Sequence, residues 1–531
     1  MVDLEIRREL TDDERSMLAR MLSTIGAKAK RNRLRTRYVD AKEKLDKVGF
    51  SIPPDMVDFQ TPIGWAHKAV KVPARRIRPD GYTLPRTSSL MDDLDEVVED
   101  NGLVTLERMA VESSLEHSVS FMFVTTGDEA RGEPKLIVAV RSALEATCEL
   151  DGRTNRVVRA LEVVDRNRKA LLYLPGVALQ VERFEGRWVV TEEYQGVAGL
   201  VPCVPYVWER SLKRPFGRSR VTRPLMGFTQ NGVRTLLRQE TTAEFFSRPQ
   251  RALLGADEAH FTGEDGKRID AWSAITGSIH ALPDIWDEEE GKLVRPDLIQ
   301  LQQATMQPHS EQLRTIGLMV SSETTIPVGY LGIIHDNPSS ADAILATESD
   351  MTAMIEDELP SIGLSRTQLA RTILAVLHGE VTDGMRTDLR GLSAHFRDPG
   401  TPTKASRADA GLKYTQAFPD GDPEVAMEEY GLSKAQIERN LAYRAKSSAG
   451  SALQSLLAAA QPGAAPADTP PESLSSEDEK AKADVVKAKA DALGILRRAG
   501  VDADNAAQLV GLDGVKFIAG QPITIRNVED Q

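Results

Sequence analysis

The chain has 531 residues, more than one compact unit usually holds, with 41% hydrophobic residues and a formal net charge of −13. That acidity excludes a protein that grips nucleic acid through a basic surface. It leaves room for one that a polyanion slides past, since every Lys or Arg holding a phosphate deepens a well the polymer must leave. Cys148 and Cys203 are too few for a disulfide scaffold; they fit a reducing compartment and two buried free thiols, with a single bridge left open. There is no apolar run of roughly 18 residues, and Met1–Arg8 lacks a signal-peptide core, so the chain is expected neither to span a membrane nor to be exported by itself.

In chain order, Thr11-Asp-Asp-Glu14 is a capping box that opens a helix. Its continuation is basic, with Lys28, Lys30, Arg31, Arg33, Arg35 and Arg37 leading to Tyr38, and reads as a solvated face or a contact for an acidic neighbour before it reads as a nucleic-acid surface. Trp65–Gly81 reads as an amphipathic helix. Acidic residues from Asp92 to Asp100 sit where they complement a helix dipole. From Ser118 to about Val207 the period shifts to two, and Phe121–Thr125, Lys135–Val140, Val157–Val164, Ala170–Leu174, Leu179–Phe184 and Arg187–Tyr194 are predicted strands.

Thr222 is an N-cap and Pro224 an early helical residue for a helix reaching about Phe246. Arg248–Leu298 is short, strand-prone and turn-rich. A second helix covers Pro308 to Glu323, with Leu313, Ile316, Leu318 and Val320 expected on one face. An apolar loop follows, Ile326, Pro327, Val328, Gly329, Tyr330, Leu331, Gly332, Ile333 and Ile334, closed by His335, Asp336 and Asn337. So apolar a loop must be covered, either by its own subunit or by neighbours, and Gly329 and Gly332 would give it backbone freedom. A long helix then runs from about Ala341 to Leu377, with a kink or break expected near Leu359 because Pro360 and Gly363 interrupt it. Leu392–Phe396 reads as a returning strand, and Ser406–Lys413 and Pro423–Tyr430 as helices. Ser433-Lys-Ala-Gln436 is a second capping box, residues 461–472 are a linker by composition, and Ser475–Arg498 is a charged Ala-rich helix.

No catalytic pattern emerges. Gly263-Glu-Asp-Gly266-Lys267-Arg268 has two residues between its glycines and Arg after Lys, where a phosphate-binding loop needs four and a hydroxyl to ligate magnesium, so it reads as a hairpin turn. The eight histidines are scattered without metal-ligand spacing, and no Gly-x-Ser-x-Gly elbow is present. No metal, cofactor or catalytic residue is expected.

Thr325-Ile-Pro, Tyr330-Leu-Gly and Asn337-Pro-Ser-Ser-Ala-Asp-Ala-Ile344 resemble the portal proteins of tailed bacteriophages, closest to the group found in long-tailed phages. Supporting matches are Trp65, Arg75 and Gly81, and the run from Gly217-Arg-Ser-Arg-Val through Ala243-Glu-Phe-Phe to Gly255. The resemblance implies an α+β portal fold: a wing (1–221), a first stem helix (222–247), a β-rich clip (248–299), a second stem helix (300–324), a tunnel loop (325–339) and a spine helix (340–378). A wing return and crown base (379–460), the linker (461–474) and a helical crown (475–531) complete it. It also implies that Arg223, Arg234, Arg238, Glu311, Arg314 and Glu323 belong to the channel stem, that Ile326 to Asn337 narrow the channel, and that Trp272, Trp286, Asp287, Glu288, Glu289 and Glu290 face a partner. The implied assembly is a homo-oligomeric ring, twelve-fold, at one capsid vertex. Double-stranded DNA would pass through it, and the terminase large subunit, head–tail adaptor, major capsid and scaffolding proteins would contact it. It would be built in the host cytoplasm and carried in the virion, with no membrane. Another head–tail adaptor ring protein, or an atypical nucleic-acid-processing enzyme, is the alternative.

Overall fold

The computed structural model describes residues 6–444 and 446 except 46–48, 50–51, 85–87, 166–167, 247–250, 255–284, 288–290, 295–296, 301–304, 334–340, 401–403, 420 and 434–435. The chain divides into two compact units, Met1–Leu441 and Ala442–Gln531, and almost all described residues lie in the first. The linker and Ala-rich helix expected after residue 461 lie outside the described residues, as do Gly263–Arg268.

The capping box at Thr11 forms as expected: the Glu14 amide donates to Thr11 Oγ1, and the Thr11 amide donates to the Glu14 carboxylate, opening α1, Asp12–Val39. Just before it, Arg8–Glu9 forms β1, and the Arg8 guanidinium grips both Glu14 oxygens at 2.7 and 2.8 Å. That grip, against the opposing effect of burial, holds the Glu14 carboxyl down at about 2. A carboxylate whose folded pKa is depressed stabilises the fold above its unfolded pKa and stops doing so as pH falls through the folded value. Acid titration of Glu14→Gln beside the parent is therefore expected to remove a stability increment present at neutral pH and lost between about 4.5 and about 2. Superimposable stability–pH curves would refute the pairing.

Every strand predicted between Ser118 and Val207 is present. β3 (Val119–Thr126), β4 (Leu136–Ser142) and β10 (Cys203–Val207) make a three-stranded antiparallel sheet in the order β10-β3-β4. β5 (Ala146–Leu150), β6 (Val157–Asp165), β7 (Lys169–Leu174), β8 (Val177–Phe184) and β9 (Arg187–Gln195) join β1 in a six-stranded meander ordered β1-β9-β8-β7-β6-β5. β3 is buried on both faces, and its alternation sorts it between two cores. Phe121 and Phe123 pack with Cys148, Ala160, Tyr173 and Cys203 between the sheets, whereas Met122 and Val124 turn to the helices. The outer face of the six-stranded sheet packs Leu161, Leu172, Leu179 and Val190 against Leu18 and Met21 of α1. Cys148 and Cys203 are buried free thiols, and burial next to Cys148 pushes the Cys203 thiol well up.

The helical side comprises α2 (Trp65–Arg76), α3 (Leu90–Asp100), α4 (Leu103–His117), α5 (Arg223–Phe246), α6 (Gln307–Thr324) and α7 (Ala341–His378). α8 (Asp383–Arg390), α9 (Lys404–Ala417) and α10 (Pro423–Glu429) follow. The helix expected over Trp65–Gly81 stops at Arg76, because Arg78–Thr83 becomes β2 and pairs with the strand Ser393–Arg397. At the second capping box the Ser433 amide donates to Gln436 Oε1 at 2.9 Å, and helix follows over 436–444.

Of the kink or break expected near Leu359, the break does not occur: α7 continues as one helix through Pro360. A mid-helix proline costs about 3 kcal/mol. Met351, Ile355, Ile362, Leu369, Ile373 and Leu374 are all buried along the same helix, and each contributes roughly 1.5–3 kcal/mol, so packing outweighs the local penalty. A buried ion pair adds to the docking: Arg366 Nε donates to Glu107 Oε1 of α4 at 2.9 Å, with both side chains 2% exposed. The hydroxyls of Tyr82 and Tyr206 donate to the same carboxylate at 2.6 and 3.2 Å, and the guanidinium lies over the rings of Tyr82 and Phe396. This one carboxylate joins α4, α7, β2 and β10.

Candidate functional site: the helix pair and its loop

α5 and α6 pack antiparallel. At one end the Thr222 hydroxyl donates to Glu323 Oε1 at 2.7 Å while its oxygen accepts from the Leu225 amide, so a single cap serves both helices. At the other, Thr242 Oγ1 meets His309 Nε2 at 3.3 Å. The buried face of α6 is Ile316, Gly317, Val320 and Thr324, with Leu313 packed beside it. Leu318, expected on that face, instead lies outward with Met319, because the i, i+3, i+4, i+7 stripe set by Leu313 passes it by. Two glycines leave room for side chains packed on the pair. A Cβ on Gly232 of α5 would come within 2.7 Å of Ile63 and Trp65, and one on Gly317 of α6 within 2.4 Å of Ile333.

Of the charged residues expected in this pair, Arg223, Glu311, Arg314 and Glu323 are exposed, and Arg234 and Arg238 half-buried. Arg234 donates to Asn231 at 3.1 Å, and Glu311 accepts from Gln307 at 2.7 Å. Arg314 borders a cavity of about 560 Å³ closed by Trp65, Leu236, Leu331 and Ile333. Arg220, next to the pair, is half-buried; it donates to the carbonyls of Ala69 (3.1 Å) and Thr324, and desolvation lowers its pKa to about 10.

α6 ends at Thr325 in the left-handed region, and the loop begins. Its described part is covered by its own subunit only in places: Ile326 is 1% exposed and Leu331 is buried, whereas Tyr330 is 37% exposed, and Val328–Leu331 forms a 3₁₀ turn. Gly332, at φ +86°, caps that turn in the left-handed region, which glycine enters without a Cβ clash. Ser321 Oγ donates to the Ile326 carbonyl at 2.6 Å. Tyr330 is the mooring. Its hydroxyl donates to Glu348 of α7 at 2.7 Å and accepts from Arg76 of α2 at 2.8 Å, and Lys68 reaches its carbonyl. Arg76 and Glu348 also pair directly at 3.0 Å, both side chains 8% exposed. Burial and then Glu348 push the Tyr330 hydroxyl pKa up, so it is a neutral donor at ordinary pH.

Ile334, His335, Asp336 and Asn337 lie outside the described residues, as do Trp272, Glu288, Glu289 and Glu290. Trp286 and Asp287 are in a short strand, Ile285–Asp287, paired with Lys292–Val294, and Trp286 is exposed. Sequence reasoning pointed to the helix pair and loop but missed Arg76 and Glu348. The match at Trp65, Arg75 and Gly81 pointed near Arg76; nothing local marked Glu348. Among the described residues no group of three or more His, Cys, Asp or Glu is placed to hold a metal ion, and no helix is long and apolar enough to cross a membrane.

Fold and site define an α+β chain organised around an antiparallel helix pair, with the loop that follows its second helix hydrogen-bonded to a long helix. The chain is 26% identical over 394 residues to the portal protein of Mycobacterium phage L5, covering 71% of this chain and 77% of that one. It is also 26% identical over 392 residues to the portal protein of Mycobacterium phage D29, covering 72% and 78%. Among solved structures it overlaps chains from the neck of a native GTA particle computed with C12 symmetry (TM-score 0.38, 12% identity, 72% of this chain and 94% of that one) and of an empty GTA particle computed with C6 symmetry (0.40, 13%, 72% and 94%). No protein-family model matches the chain. Over about seven-tenths of its length the chain is thus similar to portal proteins of tailed bacteriophages.

Proposed function

We propose that this chain is the subunit of a closed portal ring, twelve-fold, at one capsid vertex, through which double-stranded DNA is packaged and later ejected. α5 and α6 line the channel and residues 326–337 narrow it. The strands around Trp286 and Asp287 dock the terminase large subunit and then a head–tail adaptor, and the remainder meets capsid and scaffolding proteins, first in the host cytoplasm and then in the virion. The chain acts by geometry, without catalysis or cofactor. The observation that carries the reading is the helix pair closed by Thr222–Glu323, with the loop immediately beyond it moored through Tyr330. The two phage relatives support it.

Electron micrographs of the purified chain viewed face-on are expected to show rings with a central hole. Monomers alone, at high concentration and across salt conditions, would overturn the reading. So would nuclease or ATPase turnover abolished by changing Asp265 or Lys267.

A further inference from the structure

A cleft of about 1530 Å³ lies between the second half of α1 and the connector 214–223 that enters α5. Lys28, Arg31 and Arg35 recur at helical spacing along one side of α1, and Arg214 stands opposite. None of the four forms an ion pair among the described residues. Lys28 lies 5.6 Å over the Phe216 ring, and Arg35 donates only to Asn32 Oδ1 and the His117 carbonyl. The nearby carboxylate, Glu116, is already taken by Thr36 and His117. Burial first, then the charges of Arg31 and Arg214, depresses the Arg35 pKa to about 10, and burial with Arg31 depresses that of Lys28. Crowded cations without counter-charge are costly, and a carboxylate supplied from outside relieves that cost.

The same chain carries the complement elsewhere. α3 is acidic along its exposed side, where Asp92, Glu99 and Asp100 form no ion pair among the described residues. Beside it on α4, Val104 and Met109 are each 55% exposed. Of the apolar residues lining the basic cleft, Phe216 is half-buried, while Val119, Phe121, Ala143 and Ala146 are already buried in the core. What the cleft lacks is counter-charge, and the carboxylates of that corner supply it from a second copy of the same chain.

We propose that the Lys28–Arg31–Arg35–Arg214 cleft receives the acidic α3–α4 corner of a second copy of this chain. Because the two surfaces differ, the contact is head-to-tail, and repetition closes a ring if the rotation allows. The inference rests on the ring reading and names the contact that builds it.

The test uses the full chain. Lys28→Glu/Arg31→Glu is expected to weaken self-association at least tenfold by analytical ultracentrifugation. Adding Asp92→Lys/Glu99→Lys in the same chain is expected to restore it, which also shows that the variants fold. Mixing Arg31→Cys with Glu99→Cys and oxidising should give a cross-linked dimer that neither gives alone. If parent rings form but charge reversal leaves association unchanged and no mixed dimer appears, the cleft assignment falls while the ring reading stands. If the parent never assembles, the ring reading itself falls. If a 20-base-pair duplex binds the parent, and Lys28→Glu/Arg31→Glu abolishes that binding with assembly intact, the cleft is a nucleic-acid surface and the proposal is overturned.

Discussion

Replacing Arg366 with alanine is expected to destabilise the main unit by about 3–5 kcal/mol, the usual cost of leaving one member of a buried ion pair uncompensated. Glu107 would then sit in the core with only two tyrosine hydroxyls as donors, and both rings that sandwich the guanidinium would lose their cation. The double variant Glu107→Leu/Arg366→Met should recover much of the loss, because the penalty lies in the stranded charge rather than in any large net gain from the pair. Denaturant unfolding at one fixed protein concentration measures both, since self-association adds to apparent stability. A single variant within about 0.5 kcal/mol of the parent, the range of ordinary surface changes, would mean that Glu107 is not buried as described.

The second large effect is expected at the loop. Arg76→Ala removes the cation paired with buried Glu348 and one of the two side-chain partners of the Tyr330 hydroxyl. The same class of cost, about 3–5 kcal/mol, applies, but here it should fall first on residues 326–333, where amide exchange is expected to accelerate while β3 and β6 keep their protection. Tyr330→Phe keeps the ion pair and loses only the hydroxyl, so a smaller loosening of about 1 kcal/mol is expected at the same amides. Uniform acceleration across the unit would show that Arg76 is a global core residue and that the mooring is not local. Under the proposed function, both variants should still assemble into rings, with DNA retention in assembled particles suffering more for Arg76→Ala.

Features carried by short-range pattern were legible in the sequence. Alternation found β3, β4 and β6 to β9 to within a few residues, and the Thr11 and Thr222 caps located α1 and α5. Features set by distant partners were not. Glu107 and Arg366 are 259 positions apart, and Tyr330 and Arg76 are 254 apart. β2 looked helical because its pattern continues that of α2, and pairing with the strand Ser393–Arg397, more than three hundred residues later, extends it. Pro360 misled for a related reason: the local penalty is readable, the tertiary packing that outweighs it is not. At the candidate site the loop's apolar character was plain, but which surface covers its first half depended on α7 and α2.

The shared cap at Thr222 has a mechanical consequence. One hydroxyl pins the start of α5 to the end of α6, and Thr242 with His309 pins their opposite ends, so the two helices behave as a riveted strut rather than as sliding rods. Force applied at the loop cannot be absorbed by slippage between them. It travels the length of the strut, and strain entering at Tyr330 emerges near His309, some twenty residues away in sequence.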